Sequence, residues 1–566
     1  MTVHPPMTSN RLTSESATND ERGDLEDQIR ASPDDVDAWM AYGAWLTAHG
    51  DCRGRLVAIE AALARPPLEA PVRRALLDEA RRLDPRTAML SPLGLSHDEM
   101  STIDVRTSTW RAGFLVDAVA RRPTALRWLA EHPVGRVLRG FSLRHKIIGR
   151  EGVRTLCDRS LAPIRRLDLV GNHLTDGAVR LLASCPHARH IEWLDLSHNQ
   201  IGPEGVEALL TSPNLARLRH LDISHNPLTE DIVEAFRATR PGRWLQTLRL
   251  AGTELGDAGA LQLGRLPSFS ELQVLDLGHN EIGARGVAAL GCGAYLGRLV
   301  TLDLAGNAID VDAAEALAST MHLRRLTGLR LTGNPLTALG LRHLARSEGL
   351  SGIQDLDVSD TRLGDRGARV LARSKVLRKL ETLRIDRNHI GPPGAETLAK
   401  ARVVRPQTLS IAGNQIGSRG TAALMESQAL GGLLALDLSS NGIGVWGAES
   451  LAQSVFVQRL EALWLDDNPI EDAGLRAIAA SPVLSHVRVL GLAGTRLTVE
   501  SAFDLAASRS VSRIERLDLE GNRLEDEGVR QILQSHNLRS LTALDVSGRG
   551  LSPRTTALLE AFRSRR

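Results

Sequence analysis

One phrase, LxxLxLxxNxL, returns along the chain at an almost constant interval. It reads IRRLDLVGNHL over 164–174, IEWLDLSHNQI over 191–201 and LQVLDLGHNEI over 272–282. Thirteen of the fifteen steps between successive copies are 27 residues long and the other two are 26. Such a period predicts an array in which each repeat packs only on its neighbours. The ninth position of the phrase falls at Lys146, Asn172, Asn199, Asn226, Thr253, Asn280, Asn307, Asn334, Thr361, Asn388, Asn414, Asn441, Asn468, Thr495, Asn522 and Arg549.

Each repeat divides into a strand, a turn and a helix. The LxL alternation puts leucines on one face of a short strand and leaves the other face open. The asparagine turns the chain inward, where its side-chain amide can satisfy backbone groups of the neighbouring turn. Threonine can make part of that bond, whereas Lys146 and Arg549 suit the two ends of a stack. The part after the turn, such as 202–210, has apolar residues at helical spacing. Stacking these units predicts an α/β solenoid with one parallel sheet and an outer layer of helices.

The sixteen phrases resemble leucine-rich repeats of the ribonuclease-inhibitor subclass over roughly 138–562. The resemblance implies a horseshoe of about sixteen repeats of 26–27 residues, with the sheet on the concave face and the helices on the convex face. We assign this domain to 138–566. The resemblance does not fix a function, because the same fold serves inhibitors, immune sensors, GTPase activators and actin caps.

The first quarter of the chain lacks the phrase. Residues 1–22 are rich in Ser, Thr, Asn and Pro and predict a disordered tail. Residues 23–137 predict a small all-α domain, with a helix-start signal at 32–35 (SPDD) and a stop at 50–51 (GD). One face of the first helix in this domain would carry Trp39, Tyr42 and Trp45/Leu46.

This domain is not a tetratricopeptide array, because a step of 34 residues places Arg73 under Trp39. It resembles instead the helical "repeat-companion" domain that precedes leucine-rich repeats in some myxobacterial and planctomycete proteins. The matching residues are Pro33-Asp34-Asp35, Tyr42 with Trp45-Leu46, the run 50–54 (GDCRG) and the run 110–114 (WRAGF) that leads into the repeats. The resemblance implies no activity. We predict that the domain caps the first repeat; a docking or adaptor role is the alternative.

Composition narrows the class of function. A net charge of +2 argues against a general nucleic-acid binder. The four cysteines have no CxxC spacing and fit neither a disulfide framework nor a zinc site. The first residues lack a signal-peptide pattern, and no run approaches the ~18–20 apolar residues of a membrane helix. We therefore expect a cytoplasmic, bacterial protein with no cofactor and no nucleic-acid or membrane partner. The 65 arginines against four lysines are interpreted as codon bias.

The sequence contains no recognisable catalytic motif. His198 and His225 occupy the eighth position of neighbouring repeats and could lie ~5 Å apart, but no third metal ligand is forced beside them. We interpret them, with His279, as solvated turn residues. The chain has no GxxxxGK[ST], HExxH or GxSxG motif, which argues against nucleotide binding, zinc proteolysis and acyl transfer. A GTPase-activator role, acting on a partner, survives by analogy of fold.

The open face of the sheet is the candidate binding surface. Its strand residues are the third, fifth and seventh positions of each repeat, which together carry a charge of −7 while the rest of the chain carries +9. Two origins stay open: the frequent "LDL" consensus of these repeats, with Arg249, Arg330 and Arg384 relieving repulsion, or selection for a basic partner. Two tryptophans stand on this face. Trp464 is the better candidate anchor, and Trp193 could instead pack over Arg166 and His220.

We therefore predict a non-catalytic scaffold that binds a partner protein with a basic surface on its acidic concave face. The alternatives are a GTPase activator or another catalytic-assist protein, and a sensor subunit of a signalling or defence system that acts in trans. The oligomeric state is left open. The candidate partner-binding residues are Trp193, Asp195, Asp222, Arg249, Asp276, Asp303, Arg330, Asp357, Arg384, Asp386, Asp437, Trp464 and Asp466.

Overall fold

A computed structural model describes residues 10–64, 70–83, 101–104, 107–112, 114–157, 161–238, 245–401, 404–547 and 551–564. The chain forms two compact units, Met1–Thr253 and Glu254–Arg566. Both are built from the same strand, turn and helix, so each is a solenoid of the predicted α/β class.

Helices open the first unit. Their bounds are α1 (Asn10–Ala31), α2 (Val36–Ala48), α3 (Arg53–Leu63) and α4 (Ala70–Leu83). The predicted start signal is used, because the Asp35 carboxylate accepts the backbone N–H groups of Asp37 and Ala38. Helix α1 differs from the disordered tail predicted for 1–22: residues 10–22 are helical, and residues 1–9 lie outside the described residues.

Two strands follow the predicted helices in the N-terminal region. Strands β1 (Thr109–Arg111) and β2 (Phe114–Val119) form an antiparallel hairpin, and β2 then pairs in parallel with β3 (Gly140–Ser142). The sheet therefore begins at this hairpin, ahead of residue 138. Buried Trp39 and Tyr42 of α2 pack on Phe114, which joins the helices to the first strands through one apolar cluster.

The predicted strand positions are confirmed. Each repeat strand holds the third, fourth and fifth positions of the phrase, and parallel neighbours pair like with like, as Leu275 with Leu302. In the first unit the strands after β3 are β4 (Arg166–Asp168), β5 (Trp193–Asp195), β6 (His220–Asp222) and β7 (Thr247–Arg249). In the second unit they are β8 (Val274–Asp276), β9 (Thr301–Asp303), β10 (Gly328–Arg330), β11 (Asp355–Asp357), β12 (Thr382–Arg384), β13 (Thr408–Ser410), β14 (Ala435–Asp437), β15 (Ala462–Trp464), β16 (Val489–Gly491), β17 (Arg516–Asp518) and β18 (Ala543–Asp545).

A helix follows the turn of these repeats, and most of the helices pack on the helix of the next repeat in the same unit. In the first unit these helices are α5 (Ala125–Glu131), α6 (Gly149–Leu156), α7 (Asp176–Ser184), α8 (Pro203–Thr211) and α9 (Ile232–Arg237). In the second they are α10 (Gly256–Leu263), α11 (Ala284–Gly291), α12 (Val311–Ala318), α13 (Thr337–Leu344), α14 (Gly364–Arg373), α15 (Pro392–Ala399), α16 (Gly417–Met425), α17 (Val445–Gln453), α18 (Glu471–Ala480), α19 (Val499–Ala507), α20 (Glu525–Gln534) and α21 (Pro553–Ser564). The core between the layers is mainly leucine, as with Leu302 and Leu304, both almost fully buried.

The asparagines and threonines at the ninth position form a hydrogen-bonded ladder under the turns, while Arg549 lies outside the described residues. Asn307 is typical: its Oδ1 accepts the backbone N–H groups of Asn280 and Ile282 in the preceding repeat. Threonine makes part of this pattern, as predicted, since the Thr361 hydroxyl donates to the Val358 carbonyl at 2.6 Å. The ladder fixes the position of each turn, and thereby the direction of the strand before it.

Candidate binding surface

The third and fifth strand positions lie on the sheet face opposite the buried leucines. Their exposure varies within this face. Arg249, Arg330 and Asp355 are exposed, whereas Asp195 and Asp303 are buried. Among the other candidates, Asp222, Asp276, Asp357, Arg384, Asp386, Asp437, Trp464 and Asp466 are half-buried. The predicted face is therefore partly exposed to solvent, and several of its carboxylates are buried or half-buried.

The fifth-position aspartates have a local structural role. Eight of the nine accept the backbone N–H of the residue two positions on, so that the carboxylate stabilises the turn after its strand. The donor–acceptor pairs are Val170 to Asp168, Ser197 to Asp195, Ser224 to Asp222, Gly278 to Asp276, Ala305 to Asp303, Ser359 to Asp357, Ser439 to Asp437 and Glu520 to Asp518. This bond gives a physical reason for the "LDL" consensus that does not involve a partner.

Two seventh-position aspartates take over this role where the next repeat lacks a fifth-position aspartate. Asp386 accepts the backbone N–H of Ala412 at 2.8 Å, beside Ser410 in the fifth position. Asp466 accepts the backbone N–H of Ala493 at 2.7 Å, beside Gly491 in the fifth position. The acidic surface therefore continues through repeats whose own fifth residue is neutral.

Three carboxylates of these columns have raised pKa values. In the first unit, burial and the neighbouring carboxylate of Asp222 raise the pKa of Asp195. In the second, burial raises the pKa of Asp386, and Asp437 and Asp357 add to the effect. Burial raises the pKa of Asp466 in the same way, with Asp518 and Asp437 as the acidic neighbours. A cation brought to these columns would relieve this repulsion.

Two of the three fifth-position arginines form salt bridges with aspartates of adjacent strands, as one interpretation of the sequence required, whereas Arg384 forms none with a described carboxylate. Arg330 contacts Asp303 at 2.7 Å and Asp357 at 3.8 Å, which are the aspartates on the two adjacent strands. In the first unit, Arg249 lies 3.5 Å from Asp222. These aspartates are therefore partly neutralised within the chain.

The two tryptophans differ in the groups that their rings pack against. The guanidinium of Arg166 lies 4.2 Å from the centre of the Trp193 ring, so that this ring packs on the chain's own cation. The Trp464 ring lies over Gly491 of the next strand, where an added Cβ would come within 2.7 Å of the ring atom Cδ1. A larger residue at position 491 would therefore clash with the Trp464 ring in this position. Nothing in the repeat phrase marks this glycine as part of the surface.

The turn histidines pack along the turns. The rings of His198 and His225 stack with their centres 4.2 Å apart, and both residues have positive φ, a conformation that histidine tolerates better than most residues. The His279 ring lies over the eighth-position Gly306. Within the described part of the chain, no three His, Cys, Asp or Glu side chains are grouped to hold a metal ion.

Comparison with protein-family models places known repeats on these elements. One model, described as Leucine Rich repeat, matches 187–210, 243–264, 271–291, 299–318, 353–372, 376–399, 433–452, 459–479 and 514–533. A second model, described as Leucine Rich Repeat, matches 217–238. No curated protein matches the sequence. Every helix in the described residues is too short or too polar to cross a lipid bilayer.

Three solved structures match this chain at low identity. The ectodomain of the plant receptor kinase GASSHO1/SCHENGEN3 from Arabidopsis thaliana, in complex with CASPARIAN STRIP INTEGRITY FACTOR 2, is 18% identical over 76% of this chain and 50% of that chain, with a TM-score of 0.32. The match thus takes in half of that ectodomain. An internalin of Listeria monocytogenes is 19% identical over 63% of this chain and 92% of its own, with a TM-score of 0.37. The protein in a TLR13–ssRNA13 complex is 18% identical, over 79% and 65%, with a TM-score of 0.45. These values are too low to transfer a function.

Proposed function

The chain is a leucine-rich repeat protein, and from this premise we propose that it is a non-catalytic scaffold that recognises a basic partner protein on its strand face. Leucine-rich repeats are typical of protein-recognition scaffolds. The ribonuclease-inhibitor subclass, the repeat-companion assignment and the cytoplasmic location stay predictions.

The observation that carries the proposal is a patch on four consecutive strands of the second unit. The paired residues at its centre are Asp437, Trp464, Gly491 and Asp518, with Asp466 beside them; we call these five residues the Trp464 patch. A half-exposed aromatic ring, seated on a glycine and bordered by carboxylates, has the character of an interface anchor. Because burial and the neighbouring carboxylates of Asp518 and Asp437 already raise the pKa of Asp466, a lysine or arginine of the partner would find an attractive site here.

The choice of Asp437 and Asp518 for charge tests follows from their surroundings. Within the described residues neither forms a salt bridge, whereas Asp303 and Asp357 are shared with Arg330. Neutralising Asp437 and Asp518 to asparagine keeps an oxygen to accept the backbone N–H of Ser439 and Glu520. We expect this double variant to flatten the salt dependence of binding, mainly through the on-rate.

The central test is Trp464→Ala against a matched tryptophan. The partner is first captured from the native organism by affinity purification with the full chain, in parallel with analogues of the two GTPase nucleotide states. We expect Trp464→Ala to weaken binding at least tenfold through the off-rate, with little change in melting temperature. Trp446 on helix α17 is 55% exposed, and Trp446→Ala serves as the control that should leave affinity unchanged.

Two results would overturn the proposal. An affinity that survives Trp464→Ala would remove the patch from the interface. Capture that depends on a GTP-state analogue would favour a GTPase-activator role over a passive scaffold.

A further inference from the structure

The helix layer of the second unit carries a groove with an unusual concentration of positive charge. It lies between α13 and α14 and has a volume of about 570 Å³. Ala345, Val370 and Val376 form its aliphatic part. Six exposed cationic side chains line the rest: Arg342, Arg346, Arg366, Arg369, Arg373 and Lys375.

Some arginines elsewhere in the helix layer contact carboxylates of the adjacent repeat. Arg419 contacts Glu396 of the preceding helix at 2.7 Å, and Arg476 contacts Asp504 of the next helix at 3.0 Å. The groove has no such pair among the described residues. Arg342 and Arg366 occupy the same two repeat positions as Glu396 and Arg419, so that a cation stands where the other pair has an anion.

The groove cations are not neutralised by the described residues. None of the six forms a salt bridge with a described carboxylate, and residues 366–379 contain six Lys or Arg and no Asp or Glu. The nearest acid in sequence, Asp365, is already used: its carboxylate accepts the backbone N–H groups of Gly391 and Gly394 at the start of α15. The mutual repulsion of the cations is therefore left for a ligand to relieve.

We propose that this groove, the α13–α14 groove, binds an acidic peptide segment of a partner protein, with an aliphatic residue among its carboxylates. Arginine clusters recognise such segments through charge-assisted and bidentate hydrogen bonds. The aliphatic wall of Ala345, Val370 and Val376 would contact the apolar residue, and the volume is of the size that holds a few side chains.

The lining favours a peptide over a nucleic acid. Proteins that bind single strands combine a basic groove with aromatic side chains on which bases stack. The groove lining has aliphatic residues in that place and contains no aromatic side chain. The one hydroxyl of the lining, on Ser374, is buried and donates to the Ala345 carbonyl at 3.0 Å.

The test uses the full chain and a fluorescein-labelled heptapeptide with one leucine between two runs of three glutamates. Fluorescence anisotropy at about 150 mM salt, where the Debye length is ~8 Å, measures its binding. We expect the double variant Arg369→Glu/Arg373→Glu to weaken binding at least tenfold. Arg419→Glu/Arg476→Glu changes the net charge equally on paired arginines of the same layer and should leave the affinity within twofold. Replacing the peptide leucine with serine should weaken binding to the parent severalfold.

Three outcomes would overturn the proposal: no binding of the peptide at 1 mM, equal losses in the two double variants, or tighter groove-dependent binding of a single-stranded oligothymidylate. A circular dichroism melt checks that both double variants fold. Trp464→Ala should bind the peptide like the parent, because that patch lies in the strand layer. Failure here therefore leaves the function proposed above untouched, and the converse also holds.

Discussion

The ladder of turn asparagines makes a quantitative prediction about stability. Asn307 is buried, and its amide bridges two repeats. Its Oδ1 accepts the N–H groups of Asn280 at 2.9 Å and Ile282 at 3.0 Å. Its Nδ2 donates to three carbonyls, those of Leu277, Leu304 and Ala305. Substituting alanine removes all five contacts at once.

The backbone donors dominate the expected loss. Two of the carbonyls keep another donor, because Leu304 also accepts Nδ2 of Asn334 and Ala305 accepts the N–H of His279. The N–H groups of Asn280 and Ile282 lose the oxygen they share. A buried donor without an acceptor costs about 1–3 kcal/mol, so Asn307→Ala should destabilise this region by about 2–6 kcal/mol.

Hydrogen exchange measures this loss where it arises. Repeat arrays open locally, so the peptide that spans 278–284 should lose at least about 30-fold of its amide protection, the equivalent of ~2 kcal/mol. The control is Gln415→Ala, an exposed side chain next to the ladder residue Asn414, which should leave protection unchanged. Thr253→Asn should also be tolerated, because it restores the usual ladder residue. Unchanged protection and an unchanged urea midpoint in Asn307→Ala would refute the role of the ladder.

Two further predictions concern the acidic columns and the N-terminal hairpin. Asp466→Asn should raise the unfolding midpoint at pH 7: the raised pKa of Asp466 means that the native state binds the proton more tightly than the unfolded chain, so the ionised carboxylate costs stability. That gain should shrink as the pH falls through the native pKa towards the unfolded value of ~3.9, and a gain that is constant from pH 7 to pH 3 would contradict the assignment. Deleting 23–130 should cause aggregation, seen by light scattering, because it removes β2 and exposes the edge of β3 as well as Val137. A soluble, monomeric fragment beginning near Pro133 would show that the N-terminal region is not a cap.

The strands were predictable to the residue because their signal is repeated. Each LxL has a fixed distance to the next, and a slip of one residue would turn the leucines of a whole strand to solvent. The hairpin of β1 and β2 was missed because it stands outside the period. Its strand FLVDAV, six residues between turns, has no second copy against which to align it.

The candidate surface was predictable in place but not in detail. The sequence shows an aspartate column. Only the structure shows that Asp195 accepts a hydrogen bond from the turn after its strand, that Arg166 lies over the Trp193 ring and that Gly491 leaves space for the Trp464 ring. Each of these depends on which way a side chain leans across to a neighbouring repeat. Composition and period carry no information about that direction.

The charges of the helix layer show that residues at equivalent repeat positions can have different neighbours, so that a candidate site is not visible in the repeat pattern. An excess of arginine has a compositional explanation, and Arg366 and Arg419 occupy the same repeat position. They differ in their neighbours from the preceding repeat: Arg419 contacts Glu396, whereas Arg366 shares its groove with Arg342 and Arg346. A solenoid places residues 23–29 apart in direct contact, so the pairing of charges between repeats decides which surface is neutralised. The net charge of −7 on the strand face and +9 elsewhere thus becomes informative only when each cation is followed to its partner. The arginines of the α13–α14 groove have no carboxylate partner among the described residues.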